Sequence, residues 1–178
     1  YTQQVISSEV MPAAVGEIAT YCESHISPPP ATRLFKYPEK LIDAFRTEQP
    51  HVIGFSNYVW NAQLSYEFAK VIKAKFPRTT VVMGGPNFPL SKEHQESFLR
   101  ARPAIDFFIE KEGELPFCNL IRRLMELEFD IERVKKEKLG GVRAIAADGM
   151  FCAGSVMERI NDLSEIPSPY LSGKLDEF

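Results

Sequence analysis

His51-Val52-Ile53-Gly54-Phe55-Ser56-Asn57-Tyr58-Val59-Trp60-Asn61 and Thr80-Val81-Val82-Met83-Gly84-Gly85-Pro86-Asn87 are the two stretches that decide the fold. In each, a β-branched apolar run stops at small, polar and glycine residues. A near-continuous apolar run of that length is the pattern of a strand buried on both faces, and the carboxyl end of such a parallel strand opens onto a ligand crevice. Between the two lies an amphipathic helix with Leu64, Phe68, Val71, Ile72 and Phe76 on one stripe and Lys70, Lys73 and Lys75 elsewhere, closed by Pro77.

The pattern continues on both sides. Val10 to Ser24 carries Val10, Ala14, Ile18 and Tyr21 or Cys22 at helical spacing, and Ser27-Pro28-Pro29-Pro30 forbids its continuation. Thr32 to Tyr37 reads as a short strand, and Pro38 opens a helix that ends near Gln49-Pro50. Ser91-Lys92-Glu93-His94 has the form of a capped helix start, running to about Leu99. Ile105 to Ile109 is a further apolar strand, turned by Glu110-Lys111-Glu112-Gly113-Glu114 into a helix marked by Phe117, Leu120, Ile121, Leu124 and Leu127. Glu132 to Lys138 mixes both signs of charge and reads as a solvated helix face. Beyond Gly140-Gly141, Val142 to Ala146 and Phe151 to Met157 flank an Asp148-Gly149 turn and predict a hairpin. Strands alternating with helices predict a three-layer, doubly wound parallel sheet of the α/β class, with a carboxyl-terminal hairpin and irregular tail. The expected division is residues 1–140 as the α/β domain and 141–178 as hairpin and proline-rich linker.

Composition narrows the function classes. The 178 residues, 44% of them hydrophobic, suffice for one sizeable core. A net charge of −3 lacks the basic footprint of a nucleic-acid partner. No apolar stretch approaches the roughly 20 residues that span a bilayer, and no signal peptide opens the chain, so neither membrane nor export is expected and the location read is cytoplasmic. Cys22, Cys118 and Cys152 lie far apart in no metal-ligand or disulfide spacing and read as buried thiols. The serines have no His and acid partner in any elbow motif, and no GxGxxG or Walker loop is present, so no catalytic or metal-ligating residue is nominated and a stand-alone hydrolase or kinase is not expected. The start at Tyr1 and the stop after Pro167-Ser168-Pro169-Tyr170-Leu171-Ser172-Gly173 read as a piece of a larger protein.

Gly54 to Asn61, Met83 to Asn87, Ile105 to Glu114 and Ile166-Pro167-Ser168-Pro169-Tyr170, in this order, resemble the amino-terminal cobalamin-binding domain of radical S-adenosylmethionine enzymes. The resemblance runs from about Met11 to the end of the chain. It implies a flavodoxin-like fold and cobalamin as cofactor. It also implies a following radical domain in the same polypeptide, to which an iron–sulfur ([4Fe-4S]) cluster and S-adenosylmethionine would belong; this chain has no Cys triad for such a cluster. Two departures stand out. The Asp-x-His-x-x-Gly motif whose His ligates cobalt is absent, and His25, His51 and His94 sit in no such context. The resemblance then implies a cobalamin with its own base displaced and no protein His beneath the metal. The family's first core strand would fall in Tyr1 to Ile6, which is a poor version of one.

A corrin needs flat apolar walls, backbone donors and room for its nucleotide tail. Gly84 and Gly85 bring bare backbone, Pro86 stiffens their turn, and a bulky group at Gly85 is expected to fill the tail channel while sparing the sheet. Ser56, Asn57 and Asn61 offer donors for amide arms or phosphate beside a helix amino terminus, and Tyr58 and Trp60 offer a wall. Plainer readings stand beside each. Gly-Gly-Pro also makes a simple tight turn, Trp60 also serves as a core or interface anchor, and Ser56 and Asn57 also cap helices. Glu112, Gly113 and Glu114 lie at a strand's carboxyl end, where capping competes with acid–base work. The leading expectation is a cobalamin-holding module that presents the corrin to a separate catalytic domain. The alternative is a degenerate domain of the same fold that binds no corrin and serves substrate recognition or domain interaction. A flavin or nucleotide binder should carry a Ser/Thr-rich phosphate loop, which is absent.

Overall fold

The computed structural model describes residues 11–178. They form two compact units, one comprising the chain up to Glu48 with Ile160–Phe178, the other Gln49–Arg159. The first carries α1 (Ala13–His25) and α2 (Pro38–Ala44), and a 3-10 turn at Leu163–Glu165. Within it Gly16 packs against Pro169 and Leu175, and the Thr20 hydroxyl donates to the carbonyl of Pro167 at 2.7 Å. Lys174 Nζ reaches Glu23 at 2.6 Å. The proline-bearing tail is thereby an ordered part of this unit.

The second unit is built on a five-stranded sheet in the order β1 (Val52–Ser56), β2 (Thr80–Gly84), β3 (Phe107–Ile109), β4 (Val142–Ile145), β5 (Phe151–Ala153). β1, β2 and β3 are parallel, with Val52 opposite Thr80, Ser56 opposite Gly84 and Val82 opposite Phe107. β4 runs antiparallel to β3 and closes the hairpin with β5. The sheet is thus mixed, and the hairpin extends it. Connecting helices are α3 (Ala62–Lys75), α4 (Lys92–Arg100), α5 (Glu114–Glu126) and α6 (Ile131–Lys136).

Side-chain alternation sorts these helices to two faces. Val82, Phe107, Ile109, Val142 and Ala144 share one core with Leu120 and Leu124 of α5 and Val134 of α6. The opposite face carries Phe55, which meets Phe68 of α3 at 6.4 Å between ring centres, and Phe108, which meets Phe98 of α4 edge-on at 5.8 Å. The result is the three-layer α/β architecture. At the amino ends of the strands, Asp106 accepts from Lys73 Nζ (2.9 Å) and the backbone N–H of Val81 (2.8 Å), with Lys135 Nζ at 3.8 Å.

One expected strand is corrected. Thr32 to Tyr37 enters no ladder among the described residues. Its polar and aromatic groups are satisfied by side chains, Arg33 pairing with Glu48 at 3.1 Å and lying over the Phe35 ring. The proposed first strand, Tyr1 to Ile6, lies outside the described residues, as does Val10 of the first helix.

Candidate functional site

The two loop tips singled out in the sequence meet at the carboxyl ends of β1 and β2. The backbone N–H of Asn57 donates to the Gly84 carbonyl at 2.7 Å, and that of Asn87 to the Asn57 carbonyl at 3.1 Å. Asn57 is 1% exposed, and its side-chain nitrogen donates to the Asn87 carbonyl at 2.6 Å. Its amide therefore ties one tip to the other. Gly85 has φ +128°, and a Cβ there would stand 2.8 Å from the Asn57 carbonyl oxygen, so this glycine is required by a backbone-to-backbone approach. Gly84 has ordinary room, its nearest neighbour being the Ile109 side chain, and Pro86 is exposed beside it.

Asn61 is the N-cap of α3. Its side-chain oxygen accepts from the backbone N–H of Tyr58 (2.8 Å) and its nitrogen donates to the Ser56 hydroxyl (3.0 Å), which closes the loop upon itself. Neither Ser56 nor Asn57 caps the helix; Ser56 instead offers its carbonyl to the Ser65 hydroxyl at 3.3 Å. This closed loop holds up a pair of stacked rings, Tyr58 and Trp60, 4.6 Å apart and inclined by 10°. Trp60 is 69% exposed, Val59 80%, and Leu90 at the end of the neighbouring loop 97%. Large apolar groups held in water on neighbouring loops at the strand ends form a surface suited to an apolar ligand.

A ring cluster not recognised in the sequence holds the second loop down. Phe88 stacks on Phe108 of β3 and meets Phe98 of α4 edge-on at 5.2 Å. On the β3–α5 turn, Glu112 pairs with Arg159 at 2.8 Å while 46% exposed. Gly113 is the N-cap of α5 and Glu114 lies in its first turn, where a carboxylate complements the helix dipole. Lys111 in this turn has φ +64°, a conformation few side chains adopt.

The three histidines are engaged locally. His25 Nδ1 lies 2.9 Å from the Tyr21 carbonyl, His51 stacks on Phe129 at 4.4 Å, and His94 Nδ1 lies 3.0 Å from the Ser91 hydroxyl. Among the described residues no group of His, Cys, Asp and Glu is arranged to hold a metal ion, and no helix is long and apolar enough to cross a membrane. A cavity of about 570 Å³ bordered by Arg33, Lys36, Tyr37, Lys40 and Phe178 belongs to the first unit and contains none of the residues above.

A mostly parallel sheet flanked by helices, with a glycine-bearing turn at the carboxyl ends of its strands, is the architecture of the flavodoxin-like class of ligand-binding domains. A family model described as "B12 binding domain" matches residues 10–121, and the chain belongs to that family. Two curated relatives are similar to it. Over 129 residues it is 30% identical to the cobalamin-dependent radical SAM methyltransferase TokK of Streptomyces tokunonensis, covering 72% of this chain and 18% of the relative. Over 173 residues it is 30% identical to the 2-(S-pantetheinyl)-carbapenam-3-carboxylate methyltransferase of Streptantibioticus cattleyicolor, covering 93% of this chain and 24% of the relative. The chain therefore spans about a quarter or less of the length of these curated relatives.

Proposed function

We propose that the chain holds cobalamin at the carboxyl ends of β1 and β2 and presents it to a catalytic domain of the radical S-adenosylmethionine type. The observation that carries the reading is the exposed Trp60, Val59 and Leu90 on loops that the Asn57–Asn87 contacts fix in place, all within a B12-binding family match. The donor chemistry fits the corrin. Tyr58 and Trp60 supply a flat wall, the Gly84-Gly85-Pro86 turn supplies close-lying backbone, and the α3 amino terminus behind Asn61 favours an anionic phosphate. Ser56 and the Glu112-Gly113-Glu114 turn border the same strand ends.

Bound cobalamin supplies the cobalt chemistry; the residues here bind, orient and shield it. With none of the three histidines in an Asp-x-His-x-x-Gly context, the proposal includes no protein His beneath the metal. The [4Fe-4S] cluster and S-adenosylmethionine would belong to the partner domain. The names of both relatives support methyl transfer as the parent reaction. A cytoplasmic location completes the proposal.

The test is direct. The purified chain is mixed with hydroxocobalamin, desalted, and its visible spectrum recorded. A corrin band retained near one per chain is expected. A colourless protein would overturn the assignment and favour the degenerate, non-binding alternative.

A further inference from the structure

Behind the Gly85–Leu90 loop lies a buried polar cluster that the loop tips do not contain. Gln95 of α4 is 3% exposed and Arg143 of β4 is 5% exposed; Glu110, the residue after β3, has its side chain 17% exposed. Arg143 donates through Nε to Gln95 Oε1 at 3.1 Å, and through Nη1 to the carbonyls of Val142 and Gly154 at 3.0 and 2.9 Å. Its Nη2 donates to Glu110 Oε2. The Gln95 side-chain nitrogen donates to Glu110 Oε1 at 3.2 Å and to the carbonyl of Pro89 at 3.0 Å. Both amide protons and the amide oxygen of Gln95 thus have partners.

Stability alone does not account for this arrangement, because a buried ion pair replaced by well-packed apolar groups is often no less stable. What carbon cannot do is aim an N–H. Arginine has only donors, so the Gln95 amide must turn its oxygen towards Arg143 and its nitrogen towards Glu110 and Pro89. Pro89 belongs to the loop that starts at Gly84-Gly85, makes the Asn57 contact through Asn87 and ends at exposed Leu90. The same Glu110 precedes the strained Lys111 turn leading to Glu112. One glutamine amide therefore links the hairpin, the end of β3 and the loop that forms half of the site.

We infer that Gln95 is a positioning residue of the cobalamin site, with Arg143 and Glu110 fixing the orientation in which its amide grips the Gly85–Leu90 loop. The inference rests on the cobalamin reading for its ligand and extends it to residues that need not touch the corrin.

The test uses Gln95→Met, close in volume and without the amide, in the whole chain. Two quantities are read: hydrogen exchange of the Asn87 backbone amide in the absence of any cofactor, and the Kd for hydroxocobalamin by spectral titration. Exchange about tenfold faster and Kd about tenfold weaker are expected, the scale of one or two lost hydrogen bonds. Gln95→Glu keeps an acceptor for Arg143 but sets oxygen against Glu110 and Pro89, and should lose more. Asp106→Asn, at the amino ends of the strands, should lower the melting temperature and leave both readouts alone. Should Gln95→Met not fold, Arg143→Lys, which loses the Nε donor to Gln95, is read in the same way. Wild-type exchange and Kd in the Gln95 variants, or equal changes in Asp106→Asn, would overturn the inference. If the unmodified chain takes up no hydroxocobalamin, the cobalamin reading fails, and Asn87 exchange still decides whether Gln95 holds the loop.

Discussion

A Cβ on Gly85 would stand 2.8 Å from the carbonyl oxygen and 3.0 Å from the backbone nitrogen of Asn57. The two residues lie on different loops, and their backbones already touch. Gly85→Ala is therefore expected to cost stability, about 1–3 kcal/mol from the backbone conformation alone, with the clash in addition; a denaturant titration measures it. A bulky Gly85 variant consequently perturbs Asn57 before it fills any channel, and loss of ligand in it would not locate the nucleotide tail.

Trp60 gives the cleaner test of the wall. At 69% exposure it contributes little to folding, so Trp60→Ala should shift stability by no more than about 0.5 kcal/mol. Removal of the indole should weaken hydroxocobalamin binding by roughly tenfold or more. Thermal melting and spectral titration on the same preparation separate the two effects. Unchanged affinity would remove Trp60 from the site.

Asp106 is the common partner of Lys73, Lys135 and the Val81 N–H. Asp106→Ala leaves the Val81 N–H without its acceptor and takes the carboxylate from Lys73 and Lys135, while Lys135 keeps Glu132 and Lys73 keeps the carbonyls of Pro77 and Thr79; a loss of about 1–3 kcal/mol is expected. Urea unfolding followed by circular dichroism gives the value. A loss below about 1 kcal/mol would mean that solvent reaches the cluster.

Acid should weaken the α5–α6–hairpin corner first. The Arg123 guanidinium holds Glu137 below the usual carboxylate range. Partial burial pushes Glu132 up, but Lys135 and the Ala147 N–H outweigh it and leave it lowered as well. A carboxylate lowered on folding contributes stability that is complete above its unfolded value, about 4.3, and is lost as pH falls through the folded one. Stability measured from pH 6 downwards should therefore decline more steeply for wild type than for Glu132→Gln.

Much of this was legible because strands and amphipathic helices announce themselves by period. Val52–Ser56 and Thr80–Gly84 lie where the apolar runs placed them, and Ser91 caps its helix as the spacing predicted. Thr32–Tyr37 failed because a short run with aromatic residues supplies no partner for a strand's edges. The Asn57 contact was legible only as a polar residue near a crevice, since its bond to Asn87 crosses 30 positions. Phe88 sits between Asn87 and Pro89 in a run that reads as plain loop. Gln95, Glu110 and Arg143 are separated by 15 to 48 positions, and local period carries no information about partners so far apart in the chain.

The bonds that join the two loop tips carry no formal charge: they run between peptide groups, with one side-chain amide. Ions in solution have no field there to screen, and none of those groups titrates at ordinary pH. The join between Asn57 and the Gly84–Asn87 turn should accordingly keep its shape from dilute buffer to molar salt, and any loosening of the loops by salt would have to enter through the charged Arg143–Glu110 and Arg159–Glu112 pairs that flank it.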